Sequence, residues 1–296
     1  MSGYAKRSLD VTFSLGTGNF GNSGFNVVTL SGLRVLANVV KAGGVSMTNA
    51  QVRVFGMNES LMNQLSTLGK PLIGAPLSVT NRNNMLTLNA YSEDQKPATV
   101  FQGTIAEALQ DYQAIPEVAF VVNAYGGLIQ AFAPVPPTSA PNNVDVATVM
   151  QSLASTMGLK FENNGVSVQI SSPYLAGTAW QQIQSLANQA NINMVVEDGV
   201  LAIWPINGTR AGTALLLSPS TGLIGYPTFA DNGISLKTLF NPAIKFGSQI
   251  KVQSSITSAN GVWNVYKVAH TLESEQPEGS WFTELACSYI GLPTIG

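Results

Sequence analysis

Residues 28–69, VTLSGLRVLANVVKAGGVSMTNAQVRVFGMNESLMNQLSTLG, hold the sharpest local punctuation in the chain. Leu33, Val35 and Ala37 alternate with polar or larger neighbours, and Asn38-Val39-Val40 carries the run towards Gly43-Gly44. Val52 and the pair Val54-Phe55 make a second β-rich run beyond the glycines. Alternation on both sides of a Gly-Gly pair is the pattern of a β-hairpin. Leu61, Met62, Leu65 and Leu68 then fall at helical spacing, and Gly69 supplies a stop. Strand, turn, strand and short helix are therefore expected in that order. The segment offers architecture and no evident nucleophile, metal cluster or phosphate loop.

Around it the chain reads as short strands. Residues 8–15 predict the first strand, and GTGNFGNSG at 16–24 is a loop whose glycines lack the G-x-G-x-x-G register of a dinucleotide site. Further strands are expected at Leu72–Val79, Met85–Tyr91, from Val100, at Glu117–Asn123 and at Leu128–Phe132. Thr104-Ile105-Ala106-Glu107 matches a capping box and predicts a short helix, which gives Glu107 a structural task. A closed or nearly closed barrel would protect the edges of so many short strands. PVPPTSAPNN, at 134–143, carries four prolines and reads as a stiff linker.

A different pattern follows. Val146, Val149, Met150, Leu153, Ala154 and Met157 form a helical stripe, then come the turn Asn163-Asn164-Gly165 and alternating Val166, Val168 and Ile170. The plan returns 34 residues later, with Trp180, Ile183, Ala187 and Ala190 at the places of Val146, Val149, Leu153 and Thr156, and Gly199-Val200 at those of Gly165-Val166. Two copies are too few for a solenoid. From Ala214 short strands resume: 215–217, 222–229, around 244–256, 262–271 and 281–290, the last with Phe282, Ala286 and Ile290 on one side. The expected fold is a β-rich α+β chain: barrel-like domains at 1–135 and 214–296 flank a linker and duplicated helix-strand-turn-strand domain at 136–213.

Composition excludes several functions. Charged residues are 10% of the chain, against the usual quarter, and the net charge is -2. No part concentrates the positive charge of a sequence-specific nucleic-acid binder. The single cysteine, Cys287, rules out an intrachain disulfide and a cysteine-based zinc site. The start, MSGYAKRSLDV, has no hydrophobic signal core, and no apolar run reaches the length of an integral membrane segment, so cytoplasmic synthesis is expected.

Candidate chemistry is thin. His270 is the only histidine, which removes multi-histidine metal sites and leaves a Cys287–His270 dyad as the best nucleophile hypothesis. A hairpin turning near Pro277 would set Cys287 beside Lys267 and His270 beside Glu284, separating that dyad. Paired carboxylates for glycoside hydrolysis would have to come from Glu107 and Asp111, from Glu197-Asp198, or from Glu273, Glu275 and Glu278. Glu107 caps the start of the expected helix and Asp111 nears its end, Glu197-Asp198 falls in a turn before Gly199, and exposed turn charge accounts for Glu273, Glu275 and Glu278. Asn58-Glu59-Ser60 and Asn207-Gly208-Thr209 match glycosylation acceptors incidentally. Trp180 belongs to a helical stripe, and Trp204, Trp263 and Trp281 suit cores or subunit contacts.

Three stretches carry a family resemblance: LSGLRVLANVVKAGG (30–44), AQVRVFGMNESLMNQLSTLG (50–69) and LFNPAIKFGSQIKVQS (239–254). With the order of the domains, they make the chain resemble the baseplate hub proteins of contractile-tailed phages and related tail-like injection particles. The resemblance implies a structural homotrimer whose six similar domains meet a sixfold tail tube above, while its threefold symmetry meets a central spike below. It implies a passage for DNA or an injected effector, contacts with other baseplate proteins, residence in the baseplate of a virion or tail-like particle, and no enzyme activity, cofactor or metal. Residues 28–56 and 245–268 would supply corresponding strands. Leu61, Met62, Leu65, Leu68, Phe246, Ile250 and Val252 are the candidate structural or interface residues. The alternatives are a cell-wall-binding or muralytic tail component, and a sixfold tail-tube or baseplate ring protein.

Overall fold

The computed structural model describes residues 6–21, 24–43, 46–66, 83–92, 96–113, 115–129, 135–139, 141–210 and 212–289. In chain order the elements are β1 (Arg7–Ser14), β2 (Val27–Leu30), β3 (Val35–Ala42), β4 (Asn49–Phe55), α1 (Glu59–Leu65), β5 (Met85–Ser92), β6 (Ala98–Asp111) and β7 (Ala119–Tyr125). The middle of the chain holds β8 (Thr138–Ser139), β9 (Asn143–Asp145), α2 (Val146–Thr156), β10 (Lys160–Asn163), β11 (Gln169–Ser171), β12 (Tyr174–Leu175), α3 (Ala179–Ala190), β13 (Ile192–Glu197) and β14 (Val200–Pro205). The remainder forms β15 (Leu215–Leu217), β16 (Leu223–Ala230), β17 (Gly233–Leu239), β18 (Gln249–Val252), β19 (Gly261–Ser274) and β20 (Trp281–Ser288).

Among the described residues the largest sheet has 13 strands in the order β16-β17-β20-β19-β3-β4-β7-β6-β5-β1-β2, with β15 and β18 attached beside β19. The order is an open path. Its end strands, β16 and β2, each have one partner, so the sheet does not close. This corrects the expectation of barrel-like domains. Two compact units are present: Met1–Val40, Asn49–Gly126 and His270–Phe282 form the first, and Lys41–Thr48, Gly127–Ala269 and Thr283–Gly296 the second.

In the first unit, alternation does what the sequence implies. Leu9, Val11 and Phe13 of β1, Val35, Ala37 and Val39 of β3, Val52 and Val54 of β4, and Leu86 and Leu88 of β5 all turn inwards. The expected hairpin is β3–β4, paired from Val35↔Val54 to Val40↔Asn49. In place of closure, the long strand β6 changes partner: Ala98–Thr104 pairs with β5 and Thr104–Asp111 with β7. A strand shared in this way folds one sheet into two layers. The rings of Phe13 on β1 and Phe120 on β7 meet edge to face, 6.2 Å apart, between those layers.

Thr104–Glu107 lies at this change of partner, so the helix expected there is corrected to mid-strand. Non-local pairing satisfies the backbone on both flanks, and the carboxylate of Glu107 accepts from the Asn123 amide at 3.0 Å. Asn58 caps α1 by accepting from the Ser60 N–H at 2.8 Å, and Met62 and Leu65 are the helix's buried residues. The strand expected at 72–79 lies outside the described residues. Of the strand expected at 128–132, Leu128 and Ile129 are helical instead and the others are not described.

In the second unit, α2 and α3 carry their predicted stripes into one core. Thr178 and Gln181 form the expected capping box of α3. The three-stranded sheet β10-β14-β13 sits under them. Met194, Val196, Leu201 and Ile203 meet the helices, while Val195, Ala202 and Trp204 join Phe246 in a separate cluster. Burial of both faces explains the nearly unbroken apolar runs of β13 and β14. The first repeat is not the expected hairpin: β10 runs parallel to β14 and β11 pairs with β9. The Pro-rich stretch is held as well. Thr138–Ser139 pairs with Tyr174–Leu175, and the buried Gln182 amide bonds Pro136 O at 3.0 Å and the Thr138 hydroxyl at 2.7 Å. A third core gathers Leu217, Leu223, Leu236, Ile250, Val252, Val265, Leu285 and Cys287.

Gly103 marks the tightest point of the first unit. A Cβ there would lie 2.6 Å from the Tyr125 carbonyl oxygen and 2.6 Å from the tip of the Phe101 ring. Gly103→Ala is expected to cost about 1–3 kcal/mol, as overpacking does in a filled core, read as a lower urea midpoint at unchanged slope.

Candidate assembly faces and a buried charge cluster

Each unit contains a four-stranded run with one dry face. In the first, β3-β4-β7-β6 turns Val52, Val54, Ala108, Phe120 and Val122 inwards. Its other face bears Gln51, Arg53, Leu109, Asp111 and Val121, which line an open groove of about 700 Å³. Arg53 reaches Asp111 across that groove at 2.7 Å. In the second, β16-β17-β20-β19 turns Leu223, Ile234, Leu236, Val265, Val268, Leu285 and Cys287 inwards. Thr228, Ser235, Lys237, Lys267, Glu284 and Ala286 line a groove of about 320 Å³ on the other face.

The second unit also buries charge. Arg210 donates to Glu197 at 2.5 Å and to both oxygens of Glu162, at 2.9 and 3.1 Å, and to the Phe246 carbonyl at 3.3 Å. The side chains of Arg210 and Glu197 are 3% and 2% exposed, so their charges are removed from water together. Lys41 reaches Asp198 at 2.5 Å, and Thr48 donates to the Val196 carbonyl at 3.2 Å. Asp198 occupies the left-handed region, φ 50°, in the β13–β14 turn. The second oxygens of Glu197 and Asp198 are buried without a hydrogen-bond partner.

These surroundings set the protonation. The hydrogen bond from Arg210 holds Glu162 below the ordinary carboxylate value, against the opposing effect of burial. Burial pushes Asp198 upwards, and the ion pair with Lys41 offsets that only in part. Burial opposes the charge of Arg210, but Glu162 and Glu197 together hold its pKa above the usual value.

The residues singled out in the sequence mostly lie inside. Met62 and Leu65 are buried and Leu61 is half-buried on α1; Leu68 lies outside the described residues. Phe246, Ile250 and Val252 are at most 3% exposed. Phe246 packs with Trp204, the ring centroids 5.8 Å apart, and Ile250 and Val252 belong to the third core. On β20 the buried set is Trp281, Thr283, Leu285, Cys287 and Ser288; Phe282 and Ala286 are only half-buried, and Ile290 lies outside the described residues. His270 is buried in the first unit and Cys287 in the second. Burial drives the Cys287 thiol far upwards, so it stays protonated and is a poor nucleophile. Of the carboxylates weighed for glycoside chemistry, Asp111 pairs with Arg53, Glu275 with Lys6 at 2.9 Å, and Glu273 accepts from the Ser280 N–H. Among the described residues no group of three or more metal-ligating side chains gathers, and no helix is long and apolar enough to cross a membrane.

The Arg210 cluster was missed in the sequence because its members lie at 41, 162, 197, 198 and 210. Its one local signal is Glu197 directly after the buried run Met194-Val195-Val196.

The same fold is found in solved phage-tail and secretion-system proteins. The fold is similar to a prophage MuSo2 43 kDa tail protein from Shewanella oneidensis, at TM-score 0.61 and 9% identity, over 96% of this chain and 99% of that one. It is similar to a tail protein from Neisseria meningitidis MC58, at TM-score 0.59 and 10% identity over 97% and 98% of the two chains. A third likeness, at TM-score 0.55 and 13% identity over 88% and 74%, is to the E. coli c3393 protein, a component of the type VI secretion system. No curated protein matches the sequence. The family model of baseplate hub gp41 matches residues 8–284, and the chain belongs to that family. It is a structural baseplate protein of a tail particle and not an enzyme.

Two outcomes follow from the cluster. Arg210→Met leaves Glu197 buried and unpaired and should cost about 3–5 kcal/mol, measured by chemical denaturation. The pH dependences of Glu162 and Asp198 should oppose each other. The lowered pKa of Glu162 gives a contribution present above its unfolded value and lost as pH falls through the folded one. The raised pKa of Asp198 gives one present below its unfolded value and lost as pH rises through the folded one. Denaturation midpoints across a pH series should show less acid-side loss in Glu162→Gln and less loss on raising pH in Asp198→Asn.

Proposed function

We propose that the chain forms a threefold hub ring that adapts a sixfold tail tube to a central spike, around a passage for DNA or an injected effector. One observation carries this reading: each copy holds two four-stranded runs, β3-β4-β7-β6 and β16-β17-β20-β19, each with a dry face and a polar face. Three copies supply six such faces, the number needed to meet a sixfold tube, while the complex stays threefold towards a spike. Membership of the baseplate hub family supports the same role.

In this reading residues 1–135 and 214–296 contribute to the ring, and residues 136–213 lie at its periphery and join it to other baseplate proteins. Strands from 28–56 and 245–268 play corresponding parts. Leu61 has side-chain surface to offer a neighbour, whereas Met62, Leu65, Phe246, Ile250 and Val252 act by holding the cores. Synthesis takes place in the host cytoplasm and residence is in the assembled baseplate.

Light scattering on the purified chain over a concentration series is expected to give a stable species near three times 31.2 kDa. A stable hexamer would assign the chain to a tube-like ring instead. A monomer that neither trimerises nor binds purified spike would end the hub reading.

A further inference from the structure

The two ends of the 13-stranded path are finished differently. At one end, β16 is guarded: Pro227 has no N–H to offer, and the pairing with β17 skips from Ile224 to Thr228 through Gly225 at φ 68°. Proline and a bulge are devices that stop a foreign strand from adding to an edge. At the other end, β2 has neither. Its four residues, Val27-Val28-Thr29-Leu30, pair with β1 in unbroken register, and no charged residue occurs from Val11 to Leu33. Val27 is 47% exposed and Phe25, just before it, 72%.

The register settles which backbone groups face outwards. Leu15 N–H donates to the Asn26 carbonyl at 2.8 Å, so this pair is of the hydrogen-bonded kind. Such pairs alternate along an antiparallel ladder. Phe13↔Val28 and Val11↔Leu30 are therefore hydrogen-bonded, and Ser14↔Val27 and Thr12↔Thr29 are not. The close approach of the Thr12 and Thr29 hydroxyl oxygens, 2.9 Å, fits the narrower kind of pair. The N–H and C=O groups of Val27 and Thr29 consequently point away from β1. Among the described residues, no strand other than β1 pairs with β2.

We propose that β2 is an acceptor edge, and that an extended, uncharged strand from a partner subunit of the tail particle adds to it through the backbone of Val27 and Thr29. Strand addition of this kind draws its affinity from main-chain bonds and its selectivity from alternate side chains. A charged partner strand would have to desolvate its charges beside Val27, where the run from Val11 to Leu33 offers none of opposite sign. A second copy could align Val27 with Thr29 of its mate about a twofold axis. Two four-residue strands bury far less than the roughly 1,200 Å² of a stable specific interface, so a larger partner surface must accompany the strand.

Amide hydrogen exchange tests the assignment in the isolated chain and in purified particles that contain it. The Val27 and Thr29 amides should exchange rapidly in the isolated chain at every concentration and become protected in the particle. Thr29→Pro removes one outward N–H and leaves the bonds to β1 intact, so its incorporation into particles should fall by about tenfold or more. Thr29→Val keeps that N–H and should incorporate like the parent. Unprotected amides in the particle, or normal incorporation of Thr29→Pro, overturn the proposal. Protection that appears in the isolated chain on raising its concentration assigns the edge to a second copy and overturns it too. If Thr29→Pro itself melts early, the exchange comparison on the unmodified chain decides alone. A trimer in particles with an unprotected β2 would sink this inference and leave the hub reading standing.

Discussion

Strand β6 gives its first half to β5 and its second half to β7, so two layers of sheet share one continuous backbone. The rest of the first unit depends on that exchange. Each layer alone is a four-stranded sheet with one apolar face, which must be covered to be taken out of water. Folded over at β6, the apolar faces cover each other, and Phe13 comes to lie against Phe120. The bend admits no Cβ where Gly103 passes the Tyr125 carbonyl, and the register shifts between Ile105 and Glu107. A bulge beside a glycine turns a strand without abandoning its hydrogen bonds. Such a fold-over buries a core without joining the first strand to the last, which is why an open path suffices here.

The second unit solves a different problem. Arg210, Glu197, Lys41 and Asp198 are four of the chain's 14 basic and 16 acidic side chains, and they are withdrawn from a surface that has few to spare, while Glu162 meets Arg210 from a partly exposed position. A buried ion pair is weak evidence of net stabilisation, because desolvation cancels much of the attraction. What the cluster supplies is geometry. Arg210 can satisfy its fork only when β10, the end of β13 and the Phe246 carbonyl all stand in place. Apolar packing tolerates a range of such placements, whereas an unpaired charge in the same volume does not. The unmatched oxygens of Glu197 and Asp198 mark where this arrangement is held against its own electrostatic cost.

Local signals were legible in the sequence, and pairing at a distance was not. The β3–β4 hairpin follows from alternation about Gly43-Gly44, and the stripes of α2 and α3 from helical spacing; those residues choose their conformation from near neighbours. Thr104–Glu107 shows the limit. The same four residues satisfy a capping box in isolation, yet β5 and β7 claim their backbone from 20 residues before and after. The first half of the duplicated domain failed for the same reason: β10 found its partner in β14, 40 residues on, and left β11 to β9. Closure of the sheet is a property of its two end strands: Pro227 hints that Leu223–Ala230 is an edge, but nothing in Val27–Leu30 states whom it leaves unpaired. The family resemblance rests on the stretches at 30–69 and 239–254 and on the order of the domains, and none of these depends on closure.

The scarcity of charge acquires a structural meaning once the surface is known. The outward residues of α2 are Thr148, Gln151, Ser152, Ser155 and Thr156, and those of α3 include Gln181, Asn188 and Gln189, with no charge on either helix. A helix face meant only for water usually carries Lys and Glu. Faces that become covered in an assembly avoid charges, because each must be desolvated or matched, and amides and hydroxyls can bond whatever polar group arrives. The same economy holds at the sheet edges, where β16 is defended by Pro227 and a bulge without any charge in the strand. Charge is instead spent in salt links at loop ends, as in Lys6–Glu275 and Arg34–Glu117, and in the interior around Arg210. A surface so disposed suits a baseplate protein that meets neighbours on several sides, and its hydroxyl- and amide-rich faces can be covered without first stripping water from ions.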